Sequence, residues 1–334
     1  MIRLAHIFVM SVLLLLMVTA PSFATGKKDT LQYTLKFNTV AGPKQPQVKG
    51  LQVFAREVEK LSNGRITVKI FHSGQLGNQQ TQLTGVMRGT LDMTFTDPNS
   101  LAQFDKRLGI FGAAYLFRDL DHMYRVMEGP VGAEYFERLA AGRGVRPLDV
   151  WYLGTRQLNL RDKAVRTPAD MKGVKLRMPN SPQWIALGRA LGANPTPLGF
   201  GEVYLALKTG VVDGQDNPLP TDKAQKFYEV TKYIVLTSHQ IGMVWPSINE
   251  RLWQKMPDEY RGWMIEALRA ARAHQNRIVL EGEASLVEEF EGVHGMTIVR
   301  DPDREAFMRH ALESYREFED DWGKGMYEKI QGSK

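Results

Sequence analysis

Cysteine is absent from all 334 residues. That excludes a disulfide framework, a thiol nucleophile and a thiolate metal site. It also excludes a lipid anchor attached at a leader cleavage point, so the mature chain is expected to be free and untethered. Long apolar runs are nearly absent too. The one run is Ile7 to Val18, 12 residues, preceded by Arg3 and His6 and followed by Ser22-Phe23-Ala24. A membrane span needs about 20 apolar residues. The short run with small residues after it therefore reads as a cleaved secretory signal peptide over residues 1–24. Removing it leaves 334 − 24 = 310 residues, enough for two lobes with cores of their own.

The charge lacks a pattern. The formal net charge is +6, or +5 without Arg3, but acids and bases interleave, as in Ala55-Arg56-Glu57-Val58-Glu59-Lys60. No arginine-rich tail or basic run with aromatics is present, which argues against nucleic acid. A mild positive field still favours anionic ligands. The catalytic motifs G-x-S-x-G, the phosphate loop and H-E-x-x-H are missing. Gly199-Phe200-Gly201 lacks a third glycine and a clear preceding strand. The histidines after the leader (His72, His122, His239, His274, His294, His310) are too dispersed to suggest a metal set. Asp213, Asp216 and Asp222 fit no calcium loop and read as turn or helix-cap residues. No metal, cofactor or catalytic centre is expected.

What is present is alternation of strand and helix patterns. Leu31, Tyr33, Leu35 and Phe37 alternate with polar residues. Val48, Leu51, Phe54, Val58 and Leu61 follow at helical spacing, stopped by Asn63-Gly64. Ile66, Val68 and Ile70 alternate again, a helix carries Leu83, Val86 and Met87, and Asp92 to Thr96 reads as a third strand. This β-α-β-α-β order implies a mostly parallel sheet covered by helices. Further strands are expected at Val145 to Leu153 and Val174 to Met178, and helices at Pro182 to Leu191 and Phe200 to Lys208. An unusually long helix starts at Pro257, carries Trp263, Ile265, Leu268, Ile278 and Leu280, and continues past Phe290. A helical face with Phe307, Leu312, Tyr315, Phe318 and Trp322 follows Asp303.

The densest stretch is Gly173 to Pro220. In Val174-Lys175-Leu176-Arg177-Met178 the apolar residues share one face, so Arg177 points to the other and Pro179 ends the strand. A guanidinium fixed at a strand end can hold a carboxylate by two parallel hydrogen bonds; an ordinary surface salt bridge is the alternative.

This stretch and its surroundings resemble the DctP-type substrate-binding proteins of tripartite ATP-independent periplasmic (TRAP) transporters. The residues that carry the resemblance are G-T-R-Q at Gly154 to Gln157, T-P-A-D-M-K-G-V-K-L-R at Thr167 to Arg177, P-T-P-L-G-F-G-E-V-Y-L-A-L at Pro195 to Leu207, V-D-G-Q-D-N-P at Val212 to Pro218 and A-Q-K-F-Y-E-V at Ala224 to Val230. The resemblance implies a periplasmic, two-lobed α/β solute-binding protein of the Venus-flytrap kind, with mostly parallel sheets and a long helix bridging the lobes. Lobe I would comprise residues 25–153 plus 243–281, and lobe II residues 154–242 plus 282–334. It implies a carboxylate clamp formed by Arg177 and Asn217, supported by Arg156, with Phe200 lining the pocket and Asn180 and His239 near it. It implies membrane subunits of a TRAP transporter as partners.

The first lobe departs from the sialic-acid-binding branch at Thr39 to Lys44, at Gly77-Asn78-Gln79 and at Thr96-Asp97-Pro98. Gln79, Asp97 and Asn99 can hydrogen-bond hydroxyl groups. A sugar acid such as a hexuronate is therefore expected, ahead of a C4-dicarboxylate, unless Lys44 turns inward to meet a second carboxylate. A secreted enzyme using Asp97 and Asp216 as an acid pair, and a ligand-sensing module for a receptor, are the other classes compatible with the chain.

Overall fold

The computed structural model describes residues 31–333, and the expected leader lies outside them. Residues 32–334 form one compact unit. The first strands are β1 (Tyr33–Asn38), β2 (Ile66–Phe71) and β3 (Met93–Thr96), then β4 (Val145–Pro147) and β5 (Trp151–Leu160). They are followed by β6 (Lys175–Met178), β7 (Asn194–Pro197), β8 (Gly214–Pro218), β9 (Tyr233–Asn249) and β10 (Thr297–Val299). The strand order is β2-β1-β3-β9-β5-β8-β6-β7, with β4 and β10 also pairing β9.

Parallel pairing holds on both flanks: β1 with β2 and β3, β6 with β7 and β8, and β10 with β9. The middle is antiparallel, because β5 and β9 run side by side from one half of the molecule to the other. One end of β9 pairs β3 (Thr96 opposite Trp245) and the other pairs β10 (Tyr233 opposite Thr297). The register slips between Tyr152 and Gly154 and again between Arg156 and Leu158. Gly154 has φ 121°, and a Cβ there would lie 2.5 Å from Pro218 Cβ. Only glycine tolerates both the dihedral and the contact. The strand expected over residues 145–153 is two strands, β4 and the start of β5, and β9 was not anticipated.

The helix Pro46–Leu61 and the helix Asp258–Gly292 sandwich one core, containing Leu35, Phe37, Phe54, Ile66, Trp151 and Met264. The long helix, 35 residues, buries Tyr260, Met264, Ala267, Leu268, Ala271, Gln275, Val279, Leu286 and Phe290. The expected stripe differs: Leu280 is 47% exposed. The two helices meet through small residues. A Cβ on Gly50 would come within 2.9 Å of Gln275 Cβ. Close packing thus selects alanine and glycine positions that a search for large apolar residues passes over. A larger core joins Leu101, Leu108, Phe111 and Trp245 to Leu176, Leu187, Phe307 and Tyr315. Among the described residues no helix is long and apolar enough to cross a membrane.

Candidate functional site

The alternation of β6 buries Leu176 and Met178 on one face and turns Arg177 to the other, where it is 2% exposed. Parallel pairing of β6 with β7 brings in the chain after Pro197, whose Leu198 carbonyl accepts both Arg177 Nε (3.0 Å) and Nη2 (2.8 Å). The Phe200 ring centroid lies 5.8 Å from the guanidinium carbon. Among the described residues Arg177 makes no ion pair with a carboxylate. Burial pushes its pKa down to about 9, opposed by Asp216 and assisted by Arg156. The group still carries its charge at neutral pH. A buried cation held by one carbonyl, with no ion pair among the described residues, is a group that an anion could neutralise.

Arg156 on β5 takes a different role. Antiparallel pairing with β8 places it beside Asp216, and Nε donates to Asp216 Oδ2 at 2.6 Å while Nη2 donates to the Asp216 carbonyl at 2.5 Å. Its guanidinium carbon lies 4.7 Å from the Trp184 ring centroid. His239 Nε2 also contacts Asp216 Oδ2, at 3.1 Å, and its Nδ1 meets Thr237 Oγ1 at 2.8 Å. Burial alone would raise the Asp216 pKa. The charge of Arg156 and the bonds from His239 and Arg156 outweigh it and hold Asp216 well below the usual carboxylate range. Burial pushes His239 down. The turn or cap role expected for the aspartates is thus corrected for Asp216: it sits in a strand, fully buried, because its partner 60 residues earlier in sequence compensates its charge.

Opposite Arg177, Asp97 caps the short helix Pro98–Leu101 by accepting from Ser100 N at 2.9 Å. It also accepts from Gln79 Nε2 (3.0 Å) and Trp184 Nε1 (3.1 Å). Desolvation raises its pKa, and the bonds from Ser100 and Trp184 partly offset the rise.

Arg177, Arg156, Asn217, Phe200, Gln79 and Asp97 line one cavity of about 110 Å3, which β9 residues Gln240 to Val244 also line. Three expectations fall outside it. Asn180 is exposed and borders a neighbouring surface cleft. His239 is buried behind the Arg156–Asp216 pair and does not reach the cavity. Lys44 is exposed and does not line it. Asp216 is likewise absent from the lining, so an acid pair with Asp97 has no shared space in which to act on a substrate. Sequence reasoning missed Gln45, Gln47, Gln82, Trp184 and Gln240 as lining residues. Recognition of β9 as a strand would have offered Gln240. Trp184, two residues after Pro182, follows the N-cap Ser181 directly behind the Arg177 strand.

Comparison with known proteins gives one answer. Residues 37–321 match the DctP family, described as bacterial extracellular solute-binding protein, family 7. The sialic acid-binding periplasmic protein SiaP of Vibrio cholerae is 33% identical over 299 residues, covering 89% of this chain and 92% of its own. A TRAP periplasmic solute-binding protein of Roseobacter denitrificans, solved with 3-deoxy-D-manno-oct-2-ulosonic acid, is 36% identical with a TM-score of 0.85 over 90% of this chain and 99% of its own. One from a Polaromonas species, bound to D-erythronate, is 27% identical with a TM-score of 0.86 over 91% and 99%. One from Sulfurospirillum deleyianum, with succinate, is 28% identical with a TM-score of 0.83 over 91% and 100%. This two-lobed α/β chain belongs to the DctP family of TRAP-type periplasmic solute-binding proteins, which bind their ligands and do not transform them.

Proposed function

We propose that this protein captures a hydroxylated monocarboxylate, a sugar acid such as a hexuronate or aldonate, and hands it to the membrane subunits of a TRAP transporter. The observation that carries the reading is Arg177, buried, charged and, among the described residues, without a carboxylate partner in the cavity it lines. Asn217, with Arg156 behind it, completes the receptor for one carboxylate. The remaining wall favours one anionic group over two. Its charged lining residues are Arg156, Arg177 and Asp97, and Arg156 is already neutralised by Asp216. The other side offers Thr39, Gln45, Gln47, Gln79 and Gln82, neutral groups suited to hydroxyls. The ligands of the Roseobacter and Polaromonas relatives are of this chemical class; the succinate of the Sulfurospirillum protein is not, and a C4-dicarboxylate is the competing reading. Residues 1–24 act as the export signal in this reading, and closure brings residues 25–153 plus 243–281 against 154–242 plus 282–334.

A thermal-shift panel of D-galactonate, D-glucuronate, D-erythronate, succinate and glucose tests it. A ligand at 100 times its dissociation constant adds about 2.7 kcal/mol of stability. Sugar acids should stabilise the protein and glucose should not. Equal stabilisation by glucose removes the carboxylate as anchor, and a response to succinate alone replaces the sugar acid with a dicarboxylate.

A further inference from the structure

Three amide side chains around the cavity carry buried polar atoms without a hydrogen-bond partner: Asn99 Nδ2 and Oδ1, Gln240 Oε1 and Gln47 Oε1. An unpaired buried polar atom destabilises a folded chain, so such atoms accumulate where something else satisfies them. Asn99 is the extreme case, 1% exposed with both ends of its amide unpaired. Its position depends on a neighbour. A Cβ on Gly112 would lie 1.4 Å from Asn99 Oδ1 and 2.2 Å from its Cγ, an impossible overlap. The dihedral of Gly112 is not in the left-handed region, so the space, and not the backbone, is what requires glycine there. The Gly112 carbonyl in turn accepts from Gln240 Nε2 at 2.5 Å, which leaves the Gln240 carbonyl end as an acceptor. Asn99 and Gln240, joined through Gly112 behind them, therefore form one patch of the cavity wall, distinct from Arg177 and Asn217.

We infer that Asn99, seated against Gly112, and Gln240 read the hydroxyl-bearing part of the ligand, so that this patch sets the preference for polyhydroxylated acids over bare ones. The inference rests on the sugar-acid reading above. A primary amide offers a donor and an acceptor side by side, which suits one hydroxyl that accepts and a neighbour that donates. An acid lacking those hydroxyls leaves the patch unsatisfied, and that penalty discriminates more strongly than loss of apolar contact. Gly112 is a positioning residue: it touches no ligand and holds Asn99 in place.

The test is calorimetric titration of D-galactonate into the purified protein and its Asn99→Leu, Asn99→Ala and Gly112→Ala variants, with the ligand-free melting temperature of each. Leucine removes two unpaired polar atoms and keeps the branching at Cγ. Asn99→Leu should therefore leave the ligand-free melting temperature unchanged or higher while weakening galactonate about 10- to 100-fold. Gly112→Ala should weaken galactonate similarly, and should add no further loss in an Asn99→Ala background, because the clash then has no partner. Wild-type affinity in Asn99→Leu and Asn99→Ala overturns the inference. Melting temperatures that fall in step with affinity in all variants also overturn it, since the role is then structural. If wild type binds succinate and not galactonate, this inference fails while the organic-acid reading stands. If it binds no acid of the panel, both fail.

Discussion

Arg177→Ala should abolish most of the affinity for an anionic ligand while leaving the ligand-free fold intact. Two of the guanidinium nitrogens are tied to the Leu198 carbonyl, and among the described residues no carboxylate pairs with the group. The second arginine of the cavity is committed to Asp216 through two hydrogen bonds. The charge of a bound carboxylate is therefore met by Arg177 nearly alone, at a buried guanidinium where solvent screening is weak. Removing one member of such a buried pair leaves the other uncompensated, at about 3–5 kcal/mol. At about 1.4 kcal/mol per factor of ten, affinity falls roughly 100- to several-thousand-fold. The same geometry fixes the sign for the empty protein. Its depressed pKa means that the unfolded chain holds this proton more tightly, so the buried charge destabilises the native state at every pH below about 9. Arg177→Met, which fills the space without the charge, should thus melt at or above the wild-type temperature without ligand. Arg177→Lys keeps the charge but loses the planar fork, and should bind between wild type and alanine. Calorimetry with the best sugar acid, paired with ligand-free melting curves, reads all three. Wild-type affinity in a folded Arg177→Ala protein would refute the clamp, and a ligand-free protein that unfolds on Arg177→Met would show that the arginine serves the core.

Asp216→Asn should destabilise the protein by about 3–5 kcal/mol at pH 7, by stranding the buried Arg156 charge; urea unfolding with a wild-type midpoint would contradict that. Because the Asp216 pKa is depressed, its contribution is fully present above the ordinary carboxylate range and is lost only as pH falls far below it, so wild type should keep its margin over the variant at pH 5. Asp222 behaves oppositely. Burial raises its pKa well above the usual value, only partly offset by its bond from Gln215, so its ionised form weakens the fold as pH rises through the raised pKa. Asp222→Asn should therefore stabilise at pH 8 and gain little at pH 4, and a larger gain at pH 4 in urea titrations would reverse the assignment. Gly154→Ala forces a left-handed dihedral on a residue whose Cβ meets Pro218, and should lower stability by about 1–3 kcal/mol in thermal unfolding, a neutral effect being the disproof.

Local pattern carried the flanks of this fold and the clamp arginine. Arg177 was legible because a four-residue strand with period 2 leaves only one face for it. The helix Pro46–Leu61 and the strands around it follow from spacing alone. The centre was not legible. β9 contains Ser238 at φ 45°, Gly242 and Pro246, three residues that normally argue against a strand. It survives because its partners change along its length, with slips where Ser238 and Gly242 fall, while Pro246 pairs in register with Phe95 of β3. The Arg156–Asp216–His239 contacts join residues from three strands, and no spacing rule links them. The resemblance to the family pointed to the clamp region, but it drew Asn180 and His239 toward the cavity, where burial and exposure keep them out. Asn99 was legible as a hydroxyl-bonding residue, but its two unpaired amide atoms and its seat against Gly112 were not.

β9 also has a consequence in time. The first three strands lack their inner edge until Trp245 reaches Thr96, 149 residues on, and the helix Pro46–Leu61 has nothing to cover it until the helix Asp258–Gly292 exists. The N-terminal half of the chain therefore cannot finish a core while it is being made. It must wait for the last third of the polypeptide before any half of the sheet becomes self-sufficient. Such long-range closure makes folding slow and all-or-none, so a chain cut before residue 245 should be degraded as an unfolded fragment, and not accumulate as a one-lobed protein.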